Sequence, residues 1–274
     1  MFDFKNITIG ASVGLVFTAL FLFAAIFAPW IAPYGQAEIV GSVWEPMSRS
    51  FWLGTDNIGR DLLSRMIYGA RTTVFIAGMA TALAFSLGAI LGFTAAVVGG
   101  WFDTLMSRLV DLLMSIPTLI FALVVLSVLP TTITTLILVM GILDSTRVYR
   151  LSRAVAVDIN VMDYVEAAKL RGEGNGWIIF REILPNALSP LVSELGLRFI
   201  YAVLFLSALS FLGLGVQPPD ADWGGMVKEN KEGIVFGIPA ALIPAGAIAV
   251  LAISVNLVAD WVLNRTTSLK GGRG

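Results

Sequence analysis

The sequence predicts an all-α integral membrane protein with about six transmembrane helices, and three observations carry that expectation. Of 274 residues, 57% are hydrophobic and only 14% charged, with a mean hydropathy of +0.85; a soluble domain carries about 25% charged residues. Runs without Asp, Glu, Lys or Arg recur along the chain at lengths that cross a bilayer. Cysteine and histidine are both absent, which excludes disulfides, thiolate metal sites and every mechanism that needs imidazole. A net charge of −1 also leaves no basic footprint for nucleic acid.

The first charge-free run covers residues 6–37, behind Lys5. It exceeds the apolar core of a cleaved signal peptide, so a retained first helix is expected. The next runs are 72–102, 112–143, 199–219 and 233–259. The run at 112–143 is too long for one upright helix, at about 48 Å, and it contains "LPTTITT". Pro130 and its threonines break a helical pattern. Two spans follow, about 104–129 and 132–150, with Arg108, Asp111, Asp144 and Arg147 carried to the headgroup region. That makes six.

Charge placement orients the spans only in part. With six helices and both ends inside, eleven Lys/Arg face the cytoplasm and six face out; five helices with an outer N-terminus would give thirteen against four. Both topologies put the loop holding Arg147, Arg150, Arg153, Lys169, Arg171 and Arg181 in the cytoplasm.

That loop contains "YVEAAKLRGEGNGWIIFREILPN", Tyr164 to Asn186, a polar and turn-rich stretch in a greasy chain. Asp163 and Glu166 have capping-box spacing. A short helix over about Tyr164 to Arg171 follows, with Gly172 as its C-cap. "GEGNG" turns the chain, a second short helix covers Trp177 to Ile183, and Pro185 ends it. Ala167 and Ala168 would let a partner approach closely.

Glu166, Ala167, Ala168, Gly172, Leu184 and Pro185 together resemble the EAA motif of the membrane subunits of ATP-binding-cassette importers. One departure is Glu182, at a position often apolar or histidine in that family. "FWLGTDNIGRDLLSRMIYGAR" (Phe51 to Arg71) and "SFLGLGVQPPDADWGGMV" (Ser210 to Val227) are similar to segments of the C-type permeases for dipeptides, oligopeptides and nickel. The resemblance implies six spans, both termini cytoplasmic, and a coupling helix at the EAA segment. Residues 1–71 would be the first helix and its extracytoplasmic loop, 72–263 the permease core with a coupling loop at about 158–186, and 264–274 a cytoplasmic tail. It implies, further, a second related permease, two ATPase subunits that bind ATP and Mg, and an extracytoplasmic solute-binding protein. No cofactor and no catalysis are expected in this chain, which would sit in a bacterial or archaeal cytoplasmic membrane. Metal chelates or opine-like solutes are alternatives to peptides as cargo. A polytopic scaffold or membrane enzyme is the rival from another class.

Other motifs carry less. "GTDNIGRD" (Gly54 to Asp61) is close to a phosphate-binding loop, but Arg60 and Asp61 replace its Lys and Ser/Thr, and Asp61 would repel phosphate. An external loop packed on the membrane by Phe51, Trp52 and Leu53 is expected instead. Gly88 and Gly92 form G-x-x-x-G in the second span and are expected to pack within the chain. Glu194 and Arg198 lie four apart on one helix face, an ion pair and a candidate gating pair. The span centres otherwise lack carboxylates and lysines, so transport energy would enter from outside the chain.

Overall fold

A computed structural model describes residues 8–271, with side chains as far as Leu263. Helices account for nearly all of the architecture: α1 (Ile9–Ile31), α2 (Leu62–Val98), α3 (Gly100–Ser115), α4 (Thr118–Val128), α5 (Ile133–Asn160), α6 (Asp163–Leu170), α7 (Asn175–Leu212), α8 (Trp223–Asn230) and α9 (Leu242–Gly271). Lys5 and the last three residues of the 264–274 tail lie outside the described residues.

Four helices are long and apolar enough to cross a membrane: α1, α2, α7 and the Pro239–Leu263 stretch ending in α9. The pair α3 and α4 qualifies together but is bent by 87°. Six were expected, and α5 makes the difference. At 28 residues it measures about 42 Å. From its middle onward, however, it carries Asp144, Arg147, Arg150, Arg153 and Asp158. It is placed by packing and not by hydropathy.

Two details of the expected spans are corrected. The chain does turn at Pro130, where Thr132 caps α5 by accepting from the Thr135 backbone N–H at 3.1 Å. A second break falls at Pro117, which separates α3 from α4. Proline forces the residue before it out of helical geometry, and Ile116 sits at φ −94°, ψ 132°. Further, α5 runs on to Asn160, so Asp144 and Arg147 lie near its middle and not at its end.

The seam between α2 and α5 is the most extensive helix contact. A Cβ on Gly88 would stand 2.6 Å from Val148 Cβ and 2.7 Å from the Ser145 carbonyl oxygen; on Gly92 it would stand 2.7 Å from that of Tyr149. Only glycine permits this approach, and the expected internal packing is found. Around the seam, Ile76, Ala77, Ala80, Leu136, Met140, Val203, Leu206 and Leu209 form a buried core.

A cap closes the bundle at the end where α2 begins. Asp61 caps α2, accepting from the Ser64 N–H at 2.8 Å and from its hydroxyl at 2.6 Å. Buried Asp56 accepts from the backbone N–H groups of Ile58 (3.0 Å) and Arg60 (2.9 Å), from Arg60 Nε (2.6 Å) and from Arg65 Nη1 (2.7 Å). Glu229 on α8 accepts from Arg60 Nη2 at 2.8 Å and also from Arg65. Burial pushes the Asp56 carboxyl up, but those N–H groups and guanidinium groups outweigh it and hold it below the usual carboxylate range. The Gly54–Asp61 segment is therefore pinned by charge. Of the three residues expected to pack it on the membrane, Phe51 is buried within the loop, Leu53 joins the core and Trp52 is exposed. Trp223 fastens α8 to α2, donating from Nε1 to the Met66 carbonyl at 3.0 Å.

Two predictions follow from the cap. Asp56→Ala leaves Arg60 and Arg65 without their shared carboxylate, at a cost of about 3–5 kcal/mol. Melting of the protein in nanodiscs should drop well below wild type. Asp222 caps α8 through the Gly224 and Gly225 N–H groups, at 3.1 and 3.2 Å. Burial pushes its carboxyl up to about 6, against those hydrogen bonds, with Glu229 repulsion adding. A raised carboxyl stabilises the fold below its unfolded value of 3.8 and loses that contribution as pH rises through about 6. Asp222→Asn should accordingly melt above wild type at pH 7.5, with the gap closing toward pH 5.

Candidate functional site

The expected coupling loop is a helix–turn–helix standing at the end of the bundle opposite the cap. Helix α6 begins one residue earlier than the capping box implied. Met162 is the N-cap and Asp163 is the first helical residue, with no side-chain cap bond. Its C-terminus closes as expected. Gly172 has φ +83°, its N–H donates to the Lys169 carbonyl at 2.9 Å, and the Glu173 N–H donates to that of Ala168 at 3.2 Å. This pair of bonds is a Schellman closure, which favours glycine at the left-handed position.

Pro185 does not end the second helix. Asn175 to Leu212 is continuous, with a wide π-turn over Ile178–Ile183 immediately before the proline. The wide turn closes with the Leu184 N–H donating to the Ile179 carbonyl, five residues back. Such a bulge absorbs the donor and the space that proline denies a regular helix. The expected short helix is thus the foot of α7, and Pro190 follows within the same helix.

Val165 of α6 is buried in a cluster with Ile178, Ile183, Ala187 and Leu191 of α7 and Ile159 of α5, and Ala168 of α6 is also fully buried. Glu166 and Ala167 face outward, Gly172 is exposed, Leu184 is half-buried and Pro185 is exposed. The motif residues are therefore gathered at one end without forming one surface: Ala168 and Leu184 seat α6, while Glu166 and Ala167 are presented. Beside them Val161, Met162, Tyr164, Leu170 and Phe180 are exposed, an apolar patch on a polar loop. Patches of this kind mark contact surfaces. Burial raises the Tyr164 hydroxyl above its usual range, with Glu182 adding to the shift.

Glu194 and Arg198 do pair, Arg198 Nε donating to Glu194 Oε1 at 2.7 Å. They lie well inside α7, and the pair is part of a larger cluster. Arg198 Nη1 donates to Asp144 Oδ1 at 3.2 Å and its guanidinium sits 4.8 Å from the Tyr201 ring centroid. Arg147 Nη1 reaches the same Asp144 oxygen at 3.4 Å. The reading of single spans missed Asp144, Arg147 and Tyr201, because the contact joins helices more than fifty residues apart in sequence. Their one sequence signal was charge inside a segment long enough to span.

A multi-pass helical bundle with paired charges in its interior and an exposed helix–turn–helix at one end fits a membrane-embedded permease. The chain belongs to the family of binding-protein-dependent transport system inner membrane components, which matches residues 84–268; residues 10–42 match the N-terminal transmembrane domain of oligopeptide transport permease C. It is 38% identical over 259 residues to the dipeptide transport system permease protein DppC of Escherichia coli, covering 92% of this chain and 86% of that one. It is 34% identical over 258 residues to the di/tripeptide transport system permease protein DppC of Pseudomonas aeruginosa, covering 92% and 85%. The protein is thus a permease component of an ATP-binding-cassette importer and not its catalytic subunit.

Arg198→Met should leave Glu194 without its partner and Asp144 with only the 3.4 Å contact to Arg147, lowering stability by about 3–5 kcal/mol. Adding Asp144→Asn and Glu194→Gln should restore most of the lost melting temperature.

Proposed function

We propose that this chain forms half of the translocation pathway of an importer for short peptides in a bacterial cytoplasmic membrane. A second, related permease supplies the other half, two separate ATPase subunits bind ATP and Mg, and an extracytoplasmic solute-binding protein delivers cargo. The cap then faces outward, the α6 end and both termini face the cytoplasm, and α5 counts as the sixth span. Residues 72–263 act as the permease core, with 158–186 as its coupling loop.

The observation that carries this reading is the continuity of α7. It is a single helix from the π-turn under α6 to the charge cluster at Glu194 and Arg198. A push on the exposed face of α6, at Glu166 and Ala167, is passed through Val165 to Ile178 and Ile183, and along α7 into the bundle. ATP-driven closure of the ATPase pair would supply the push. Peptide cargo is supported by what the names of the relatives state for those proteins.

Gly172 tests the lever. A Cβ there meets nothing within 4 Å, so Gly172→Asp acts without a clash. It acts through backbone strain, about 1–2 kcal/mol for a left-handed residue, and through a negative charge placed at the C-terminus of α6. The variant should be expressed and assembled with an ATPase pair, yet take up peptide at least about tenfold more slowly, given that strain. Undiminished ATP-driven uptake at normal expression would refute the coupling role.

A further inference from the structure

Between α2, α4, α5 and α7 lies a cavity of about 320 Å³, within the range of small-molecule sites. Leu119, Met140, Leu143 and Phe205 give it an apolar wall, and Asp144 and Arg147 a charged one. Counted along the helices, Asp144 is about 18 Å from the start of α5 and Tyr201 about 17 Å from the end of α7. Both distances are near half of the roughly 30 Å hydrocarbon thickness. Ionised groups at that depth do not face lipid; they line a cavity or meet a partner, and they mark solute pathways.

The hydrogen-bonding capacity of the cluster is used unevenly. Arg198 is committed to Glu194, Asp144 and the Tyr201 ring. Asp144 Oδ1 accepts from both arginines, while its Oδ2 is buried and has no partner. The Arg147 side chain is 42% exposed and held only by contacts of 3.4 Å, to Asp144 and to the Thr118 hydroxyl. A free carboxylate oxygen and a loosely held guanidinium thus adjoin each other beside an apolar wall. A solute with an ammonium at one end and a carboxylate at the other satisfies both; a singly charged solute leaves one unmet and a neutral one leaves both.

We propose that Asp144 and Arg147 form a mid-membrane subsite that takes the ammonium and carboxylate ends of a short peptide, with its side chains against Met140, Leu143 and Phe205. This rests on the peptide-importer reading above. Arg147 swings off Asp144 to meet the carboxylate, and Asp144 Oδ2 turns to the ammonium, so the resting ion pair is exchanged for two pairs with the solute. The exchange keeps the charges paired throughout, which lets a zwitterion cross this depth without a lasting deep trap.

The test uses the complete transporter in proteoliposomes, with its binding protein saturated by each solute in turn. The solutes are alanyl-alanine, its C-terminal amide and its N-acetyl derivative. Arg147→Gln should slow uptake of alanyl-alanine about tenfold but that of the amide less than about twofold, as expected when a charged hydrogen-bond partner is lost. Arg147→Lys should recover part of the loss. Asp144→Asn should show the reciprocal pattern, with its loss confined to solutes bearing a free ammonium. Equal losses for all three solutes, as a folding or gating defect would give, or no loss for any, overturns the subsite while leaving the importer reading intact. If the wild-type complex takes up no alanyl-alanine while hydrolysing ATP in response to another loaded solute, both readings fall.

Discussion

The close approach of α2 and α5 is the constraint on which the rest of the structure depends. Lipid tails are as apolar as leucine, so helices in a bilayer gain little from hiding hydrophobic surface and associate through short-range packing instead. Gly88 and Gly92 allow the two backbones to meet where any side chain would stand under 3 Å from its neighbours. Because α5 is held along this seam, it tolerates a row of charges that its own hydropathy would not carry into a membrane. Asp144, Arg147, Arg150 and Arg153 are then placed where α3 and α7 can reach them: Arg153 pairs with Asp103 of α3, Arg150 with Asp111, and Asp144 with Arg198 of α7.

Three levels of charge result, and they differ in kind. At the cap, Asp56, Arg60, Arg65 and Glu229 are mutually paired and largely buried, which fixes the Gly54–Asp61 loop and α8 against the start of α2. Near the α6 end, the Asp111–Arg150 pair is about half exposed on both partners, and pairs of that sort contribute little to stability. The middle cluster is neither. It is enclosed enough that its charges matter, yet Asp144 keeps an unpartnered oxygen and Arg147 is loosely held. A structural network would be expected to saturate both groups, so the incompleteness itself points to exchange with something that passes.

Much of this was legible in the sequence, and the failures share a cause. Charge-free runs located α1, α2, the upper part of α7 and α9, and spacing alone identified the Gly172 closure and the packing role of Gly88 and Gly92. The same logic lost the lower half of α5, because a helix carried by its neighbours need not be apolar. Pro130 was read as the break in the third run, while Pro117, which bends α3 from α4 by 87°, went unread inside the same apolar stretch. Pro185 was taken as a terminator, since the π-turn that accommodates it is a backbone arrangement with no residue signature. The Glu194–Arg198 pair was visible as an i, i+4 spacing. Its third partner, Asp144, was not, because tertiary contact brings it from another helix.

The π-turn also decides what α7 can transmit. A proline two residues after Ile183 would ordinarily kink the helix or end it, and a hinge at that point would absorb movement arriving from α6. The wide turn instead keeps the helix continuous, while Ile178 and Ile183 hold the turn against Val165. From Ile183 to Arg198 the helix runs about 22 Å, and over that distance Pro190 and Gly196 are its further weak points. In the proposed coupling, displacement at the α6 surface would be delivered to Arg198, whose guanidinium bridges Glu194 on its own helix and Asp144 on α5. Moving α7 against the fixed α2–α5 seam stretches the bond between helices and leaves the one within α7 intact. The same motion that opens a path would thereby loosen Asp144, so mechanical and chemical events converge on one carboxylate.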